Sequence, residues 1–380
     1  MSNLFKEKLA GEKIGLIFGS FAPFHVKHLD LVTQAKRSQD GVVVVVSGSD
    51  GDRGDKIGLN LQKRFRYLRE MYADDPLVYV AKLDETDLPA MPVGWKPWLQ
   101  RVMELVDQAV LDRQAGLTFY VGEKVYQEEL EKYPVMTNHA KISYRKREDS
   151  GVSASKIREF PLIYWPMITR PFRRHFSHNI LITGAASGGK TTLVKDLARY
   201  FGSPFALEYA RDYQEIYNVN DLELTTHDYI ELIRGQWMRA SKEINGTSNN
   251  GLVFADTDAI TTYVYSSLEV DQERVDHQQL LSLYDETIAR TKWDLILVVP
   301  PTTDYIDDHF RDMRGAKDQY RWDFHHKLIE TYQAYGYGDK LVCLESSDSA
   351  DRALVFLERY EQAKKVIIET FKLKSLWEEY

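Results

Sequence analysis

Short apolar runs alternate with helix-like stretches along the first part of the chain. The runs cover residues 14–18, 42–47, 76–83 and 117–122. Runs of this length that are rich in valine, isoleucine and aromatic residues predict buried strands, and helices between them predict parallel pairing. The chain therefore begins with a parallel sheet covered by helices.

The same alternation restarts at residue 178. Apolar runs at 178–184, 203–209, 251–258, 293–299 and 340–346 predict a second parallel sheet, and residues 349–380 predict one or two closing helices. Residues 159–177 contain three prolines and three arginines, which is typical of a connection between domains. We predict an α/β protein with one domain in residues 1–165 and another in residues 166–380.

Composition narrows the classes of function. The 380 residues are 43% hydrophobic and 28% charged, as in a folded protein of about two domains. Cys343 is the single cysteine, which excludes an intramolecular disulfide and any site with several cysteines. The net charge of -8 argues against nucleic acid as a partner. No apolar run is long enough to span a bilayer and the N-terminus has no apolar signal core, so we expect a cytoplasmic protein without membrane insertion.

A phosphate-binding loop opens the second half. The segment GAASGGKT at 184–191 fits G-x-x-x-x-G-K-[ST] and lies between an apolar strand and a helix-like stretch. Backbone N–H groups of such a loop surround the β-phosphate, the lysine reaches the β- and γ-oxygens, and the following hydroxyl holds magnesium. No N-K-x-D sequence occurs, which disfavours a guanine-nucleotide switch. The predicted ATP site comprises Gly184, Ser187, Gly188, Gly189, Lys190, Thr191 and Thr192, with Mg2+ on Thr191 and Asp256.

Acidic residues follow two of the predicted strands beside this loop. A kinase that acts on a hydroxyl needs one carboxylate for the substrate proton and another for magnesium. We favour Glu208 as the base and Asp256 as the metal-side carboxylate, although the sequence also allows the reverse. Arginines after the strand at 293–299 are suited to a transferring phosphoryl group. The predicted set is completed by Arg311 and Arg314 for ATP, and by Arg211, Asp258 and Asp308 for the substrate, together with Glu208 and Asp256.

Two histidines follow the first strand. After a turn at Gly19, Ser20 and Phe21, His25 and His28 share one face of a predicted helix at its N-terminus. Imidazoles beside free N–H groups form a compact set of donors for a triphosphate. A second phosphate cradle is predicted at VSASKIR, residues 152–158, with Ser153, Ser155, Lys156 and Arg158.

The paired motifs carry a resemblance to a known family. GSFAPFHVKH and VSASKIR resemble the motifs of nicotinamide-mononucleotide adenylyltransferases, and the following phosphate loop with LEYARDY and FADTD is similar to ribosylnicotinamide kinases. Nearly the whole chain resembles the bifunctional NadR-type family, which fuses the two activities. The resemblance implies a Rossmann-like nucleotidyltransferase domain, a P-loop kinase domain and consecutive steps of NAD salvage.

The resemblance also implies ligands and further residues. It implies ATP and Mg2+ as cofactors and nicotinamide riboside, nicotinamide mononucleotide and NAD as substrates and product, with a homo-oligomer allowed. Trp95, with Trp98 beside it, becomes a candidate for stacking on nicotinamide, and core packing is the alternative. Lys27 replaces the family glycine between the histidines. Its amine could aid the transfer or its bulk could obstruct ATP, and we expect a weakened but surviving transferase.

Two other functions compete with the bifunctional enzyme at this point. One is a kinase whose first domain binds nucleotide without turning it over. The other is a nucleotide-sensing module whose phosphate loop hydrolyses ATP to drive a partner contact. ADP formation that depends on the riboside is expected of the kinase and not of the sensor.

Overall fold

The structure is a computed structural model that describes residues 7–133, 140–145, 152–268, 274–305, 318–345 and 351–373. The chain divides into two compact units, Met1–Phe176 and Ser177–Tyr380. Within the described ranges, each unit has one five-stranded sheet whose strands are all parallel. The predicted fold class is confirmed. Among the described helices, none combines the length and apolar character that crossing a membrane requires.

The sheet of the first unit has the order β3-β2-β1-β4-β5. Its strands are β1 Lys13–Gly19, β2 Gly41–Gly48, β3 Val78–Asp84, β4 Gly116–Val121 and β5 Ala140–Tyr144. Its helices are α1 Val26–Lys36, α2 Leu61–Met71, α3 Trp95–Ala109, α4 Lys124–Leu130, α5 Ala154–Glu159 and α6 Arg170–Phe176, with short 3-10 turns at Asp55–Ile57 and Trp165–Met167.

Strand β2 shows why the strands of this sheet could be predicted from the sequence. All eight of its residues are buried, because alternate valines enter apolar clusters on opposite faces of the sheet. A parallel strand covered on both faces is continuously apolar. Strand β5, which the sequence interpretation missed, is an edge strand with no fully buried residue and therefore no apolar run.

The sheet of the second unit has the order β10-β9-β6-β8-β7. Its strands are β6 His178–Gly184, β7 Phe205–Ala206, β8 Leu252–Asp256, β9 Leu295–Val299 and β10 Leu341–Cys343. Its helices are α7 Lys190–Phe201, α8 Tyr209–Tyr217, α9 Thr226–Ile244, α10 Ala259–Ser267, α11 His277–Arg290, α12 Asp318–Ala334 and α13 Arg352–Thr370, with 3-10 turns at Asp221–Glu223 and Gly338–Lys340. Central strand β6 ends at the phosphate loop.

The division between the units lies later than the predicted boundary after residue 165. Phe172 is fully buried, and Phe176 is also buried, in the same apolar cluster as Ile17 and Val42 of the first sheet. Helix α6 also packs on helix α2. The prolines at 161, 166 and 171 therefore belong to the first unit, and the chain leaves it only after residue 176.

Candidate active sites

A tight turn joins β1 to α1 in the first unit. Phe21 has φ 45°, a left-handed conformation that is uncommon for a residue other than glycine, and it is buried. Its ring packs edge-on against Phe24 and His28, with centroids 5.1 and 5.0 Å away. Such strain persists where the surroundings hold it in place. The turn thus fixes the backbone at the N-terminus of α1, where the two predicted histidines lie.

The structure brings His25 and His28 together. His25 is the N-cap of α1, and the two rings stack with centroids 3.8 Å apart. The backbone N–H of His25 donates to Nδ1 of His28 at 3.3 Å. An acceptor at Nδ1 assigns the proton of neutral His28 to Nε2, which is then a donor. Lys27 is the second residue of the same helix, and its side chain is exposed.

Arg158 joins the second predicted cradle to this turn. Its Nη1 donates to the backbone oxygen of Ala22 at 2.6 Å, and its Nη2 donates to Ser155 Oγ at 3.0 Å. Ser153 caps helix α5 by accepting from the backbone N–H of Lys156 at 3.3 Å. Two motifs more than 120 residues apart in the sequence therefore form one site.

Two basic residues that the sequence interpretation missed support this site. Arg64 is fully buried and donates to the backbone oxygen of Ser20 and to Asp52 Oδ2, both at 2.6 Å. The pKa of Arg158 is lowered first by the partial burial of Arg158 itself and then by the nearby charge of Arg53. The glycine- and aspartate-rich loop GDRGD at 51–55 was the available signal for Arg53, whereas Arg64 lies outside it on α2.

The predicted stacking residues lie in the core of the first unit. Trp95 is 6% exposed and Trp98 is 3% exposed. The rings meet edge to face, with centroids 5.7 Å apart, and Trp98 Nε1 donates to Glu85 at 2.9 Å. Both residues therefore pack in the core, which is the alternative that the sequence left open. The stacking role of Trp95 and Trp98 stays a prediction.

The phosphate loop of the second unit has the backbone that its glycines allow. Gly184 has φ 145°, and a Cβ there would lie 2.4 Å from the backbone oxygen of Val299. Gly189 has φ 84° and is the N-cap of α7. Lys190 is buried, and its Nζ donates to the backbone oxygen of Ala185 at 3.0 Å. Thr192 is exposed in the first turn of α7.

Side chains far along the chain hold three consecutive carbonyl groups of this loop. Arg321 donates to the oxygen of Ala186 at 3.2 Å, Thr303 to that of Ser187 at 2.6 Å, and Arg359 to that of Gly188 at 3.0 Å. Loop carbonyls fixed in this way leave the loop N–H groups for an anion. Neither arginine was predicted, because a contact to backbone oxygen leaves no pattern in the sequence.

The two predicted carboxylates lie beside Lys190. Asp256 is fully buried, and its Oδ2 accepts from Thr191 Oγ1 at 2.5 Å. Burial, and then the nearby charge of Glu208, raise the pKa of Asp256 to about 6, against the opposing effects of Lys190, Thr191 and Arg211. Glu208 is the N-cap of α8, and its Oε2 lies 3.5 Å from Nε of Arg211.

The oxygen atoms at this position fit a magnesium ion. Asp256 Oδ1 is buried, and in the described part of the chain no hydrogen-bond donor reaches it. The Thr191 hydroxyl is adjacent, and magnesium is bound by one or two carboxylates together with phosphate oxygens and water. Thr191 and Asp256 are therefore the residues that would hold the ion.

Asp258 has a structural position that corrects its predicted role in binding substrate. It is buried and caps helix α10 by accepting from the backbone N–H of Thr261 at 3.0 Å. Trp293 Nε1 and the Tyr332 hydroxyl also donate to it, at 2.9 and 2.6 Å. Its oxygens are thus used within the core. The predicted residues Asp308, Arg311 and Arg314 lie outside the described residues.

A cavity that is open to solvent extends from the phosphate loop. Its lining includes the charged side chains of Lys190, Glu208 and Arg211. It also includes the aromatic residues Tyr229, Tyr265, Tyr305, Tyr320 and Phe324. The cavity therefore offers charged groups for a phosphoryl transfer and an apolar wall for a ring of the acceptor.

Comparison with protein families matches both units. Residues 16–160 match the family described as cytidylyltransferase-like, and residues 179–352 match the family described as AAA domain. The chain is 26% identical over 339 residues to the trifunctional NAD biosynthesis/regulator protein NadR of Salmonella typhimurium strain LT2, which covers 84% of this chain and 76% of the relative. It is 25% identical over 357 residues to the protein of that name from Escherichia coli strain K12, covering 91% and 82%.

Two solved structures are more similar to this chain than these two relatives are. A crystal structure of NadR protein in complex with NR superposes with a TM-score of 0.86 at 44% identity, covering 97% of this chain and 99% of that one. A crystal structure of NadR protein in complex with NAD and AMP-PNP gives a TM-score of 0.84 at 42% identity, covering 97% and 98%. The similarity therefore extends over both units.

Proposed function

The chain belongs to the NadR family, and on that premise we propose that it is an enzyme of NAD salvage with a separate active site in each unit. The second unit phosphorylates nicotinamide riboside with ATP. The first unit transfers the adenylyl group of ATP to nicotinamide mononucleotide, which gives NAD and pyrophosphate. The relatives whose structures hold NR, or NAD with AMP-PNP, support these ligands.

The cavity of the second unit carries the kinase assignment. Glu208 lies within it beside Lys190, whereas Asp256 is buried against Thr191. This arrangement favours Glu208 as the base that accepts the proton of the 5′-hydroxyl and Asp256 as the metal-side residue. Lys190 and the loop N–H groups hold the β- and γ-phosphates, and a bound Mg2+ supplies positive charge at the transferring group.

The aromatic residues that line the cavity fit nicotinamide riboside as the acceptor. Nicotinamide riboside carries a positive charge on its pyridinium ring, and the faces of tyrosine and phenylalanine rings attract cations. Tyr229, Tyr265 and Phe324 are among the aromatic residues that line the cavity. Arg211, which also lines the cavity and lies beside Glu208, is proposed to contact the riboside or its new phosphate.

The first unit performs a reaction that needs no base. The phosphate of nicotinamide mononucleotide is already an anion when it attacks the α-phosphorus of ATP, and pyrophosphate leaves. His25, His28, Lys156 and Arg158 are proposed to orient the phosphates and stabilise the charge of the transition state. The hydrogen bond from Arg158 to Ala22, which joins the two motifs, supports this set.

One assay tests the proposal. The protein is incubated with ATP, Mg2+ and nicotinamide riboside, and the products are separated by chromatography. We expect ADP and nicotinamide mononucleotide first, and then NAD. ADP and mononucleotide without NAD would leave a kinase alone, and ATP hydrolysis independent of the riboside would indicate a sensing module. A cytoplasmic location, the absence of nucleic-acid binding and a homo-oligomer remain predictions.

A further inference from the structure

A helix of the second unit holds the peptide group that follows Glu208. Gln236 and Arg239 lie three residues apart on α9 and therefore share a face. Gln236 Oε1 accepts from the backbone N–H of Tyr209 at 2.7 Å, and Arg239 Nη1 donates to the backbone oxygen of Glu208 at 3.1 Å. These two atoms belong to one peptide group. The helix thus fixes that group from both sides.

The same glutamine reaches the strand that carries Asp256. Gln236 Nε2 donates to the backbone oxygens of Asp256 and Thr257, at 3.0 and 3.2 Å. The side chain is buried, so both of its polar atoms are satisfied by backbone of the active site. One amide therefore connects the chain at Glu208 with the end of β8.

Thr257 shows that the end of β8 needs this support. It has φ 65°, which is rare for a β-branched residue and marks a strained backbone. Its N–H donates to the oxygen of Ile182 at 3.1 Å, and its own oxygen accepts from Gln236. The strained residue is thus held at both of its backbone polar atoms.

Tyr209 is fitted closely to the same helix. A Cβ at Gly235 would lie 2.1 Å from Cε1 of Tyr209, so only glycine leaves room for that ring. The guanidinium of Arg239 lies 5.1 Å from the centroid of the ring and also donates to Asp212 at 2.6 Å. Gly235, Gln236 and Arg239 therefore all act on the segment that begins with Glu208.

We propose that Gln236 is a positioning residue of the kinase, which keeps Glu208 and Asp256 in their working arrangement. The charge of Glu208 acts on the buried carboxylate of Asp256, so the backbone that carries the two carboxylates must resist their separation. Gln236 supplies that resistance through hydrogen bonds and does not contact the reacting atoms. The expected effect of Gln236 on the rate rests on the proposed kinase function, whereas its effect on the backbone rests on the geometry alone.

The test compares Gln236→Met with Gln236→Glu. Methionine keeps the length of the side chain and removes all three hydrogen bonds, whereas glutamate keeps the acceptor for Tyr209 and loses the donor to Asp256 and Thr257. Gln362→Met is the matched control, because Gln362 accepts one backbone N–H, from Glu345, at 2.9 Å on another helix. Adenylyl transfer by the first unit reports that the first unit is intact in every sample, and circular dichroism reports the folding of the second.

We expect both Gln236 variants to lower kcat for riboside phosphorylation by about 10- to 100-fold, since a displacement of about 1 Å costs roughly 10²-fold. KM for ATP should stay within about threefold, because the phosphate loop is untouched. Hydrogen exchange at the Tyr209 amide should accelerate in the methionine variant and much less in the glutamate variant. Gln362→Met should change neither quantity.

Three outcomes would overturn the proposal. Unchanged kcat in both Gln236 variants would do so, as would unchanged exchange at Tyr209 in Gln236→Met. A rise in KM for the riboside at constant kcat would instead make Gln236 a ligand contact. Should circular dichroism show that Gln236→Met does not fold, Gly235→Ala displaces the same segment and must lower kcat. If wild-type protein fails to phosphorylate the riboside, the proposed function is wrong, and the exchange measurement still decides the backbone role.

Discussion

The two units share one local backbone arrangement, which we propose binds a triphosphate in each, and surround it with different side chains. In each, a central strand ends in a tight turn and a helix begins there, at His25 in the first unit and Gly189 in the second. The first site adds imidazoles and an arginine, whereas the second adds Glu208 and the buried Asp256. A phosphate nucleophile needs no base, but a hydroxyl does, and Glu208 and Asp256 lie in the unit to which we assign the hydroxyl acceptor.

The largest expected effect is a loss of riboside phosphorylation alone, caused by a substitution in the phosphate loop. Lys190→Ala should lower riboside phosphorylation by about 10³-fold, because a fixed charge at the transferring phosphate is lost. Adenylyl transfer from supplied mononucleotide should be unchanged. Lys195→Ala, on the same helix, is the control. Equal loss of both activities in a folded Lys190→Ala protein would refute the division of labour.

The reciprocal change is made in the first unit. His28→Gln should lower NAD formation from mononucleotide and ATP by about 10²- to 10³-fold, the range for removing one transition-state donor. Riboside phosphorylation should keep its wild-type kcat. His326→Gln, at an exposed position of α12, serves as the control. NAD formation at the wild-type rate would remove His28 from the array.

The carboxylate assignment predicts a loss confined to one rate constant. Glu208→Gln should lower kcat of the kinase by at least about 10²-fold, the low end for a general base, with little change in ATP affinity. Glu215→Gln, an exposed change on the same helix, should leave kcat unaltered. An unchanged kcat in Glu208→Gln would transfer the role of base to Asp256.

The smallest expected effect concerns Lys27. Its side chain is exposed and can turn aside, so obstruction should cost near the low end of the range for overpacking, about fivefold. Lys27→Gly should therefore raise NAD formation by about fivefold, and Lys27→Ala controls for the flexibility of glycine. A loss of activity in both variants would show that the amine assists the transfer.

Strands and loops with a local signature could be predicted from the sequence. Strand β6 was expected at 178–184, and its bounds agree because both of its faces are covered and the phosphate loop follows it directly. The same local reading misassigned Asp258. It stands two residues after Asp256, yet it lies beyond the strand as the cap of the next helix, and the capping contact to Thr261 is the signal that distinguishes them.

The residues that support the sites could not be predicted in this way. Arg64, Gln236 and Arg359 each reach backbone oxygens of distant segments. A backbone oxygen is present at every residue, so its partner carries no spacing or composition that a single sequence reveals. Such contacts become visible only when the fold places the segments together.

The support of the phosphate loop by Arg321 and Arg359 has a consequence for the order in which the protein is made. The loop leaves the ribosome well before α13, which supplies Arg359 to the oxygens of Gly188 and Pro300 and to the Thr302 hydroxyl. Until that helix has been synthesised and has docked, Gly188 lacks its donor. A nascent chain can therefore complete the first unit while the phosphate loop of the second still lacks the support of Arg359, which arrives only with α13.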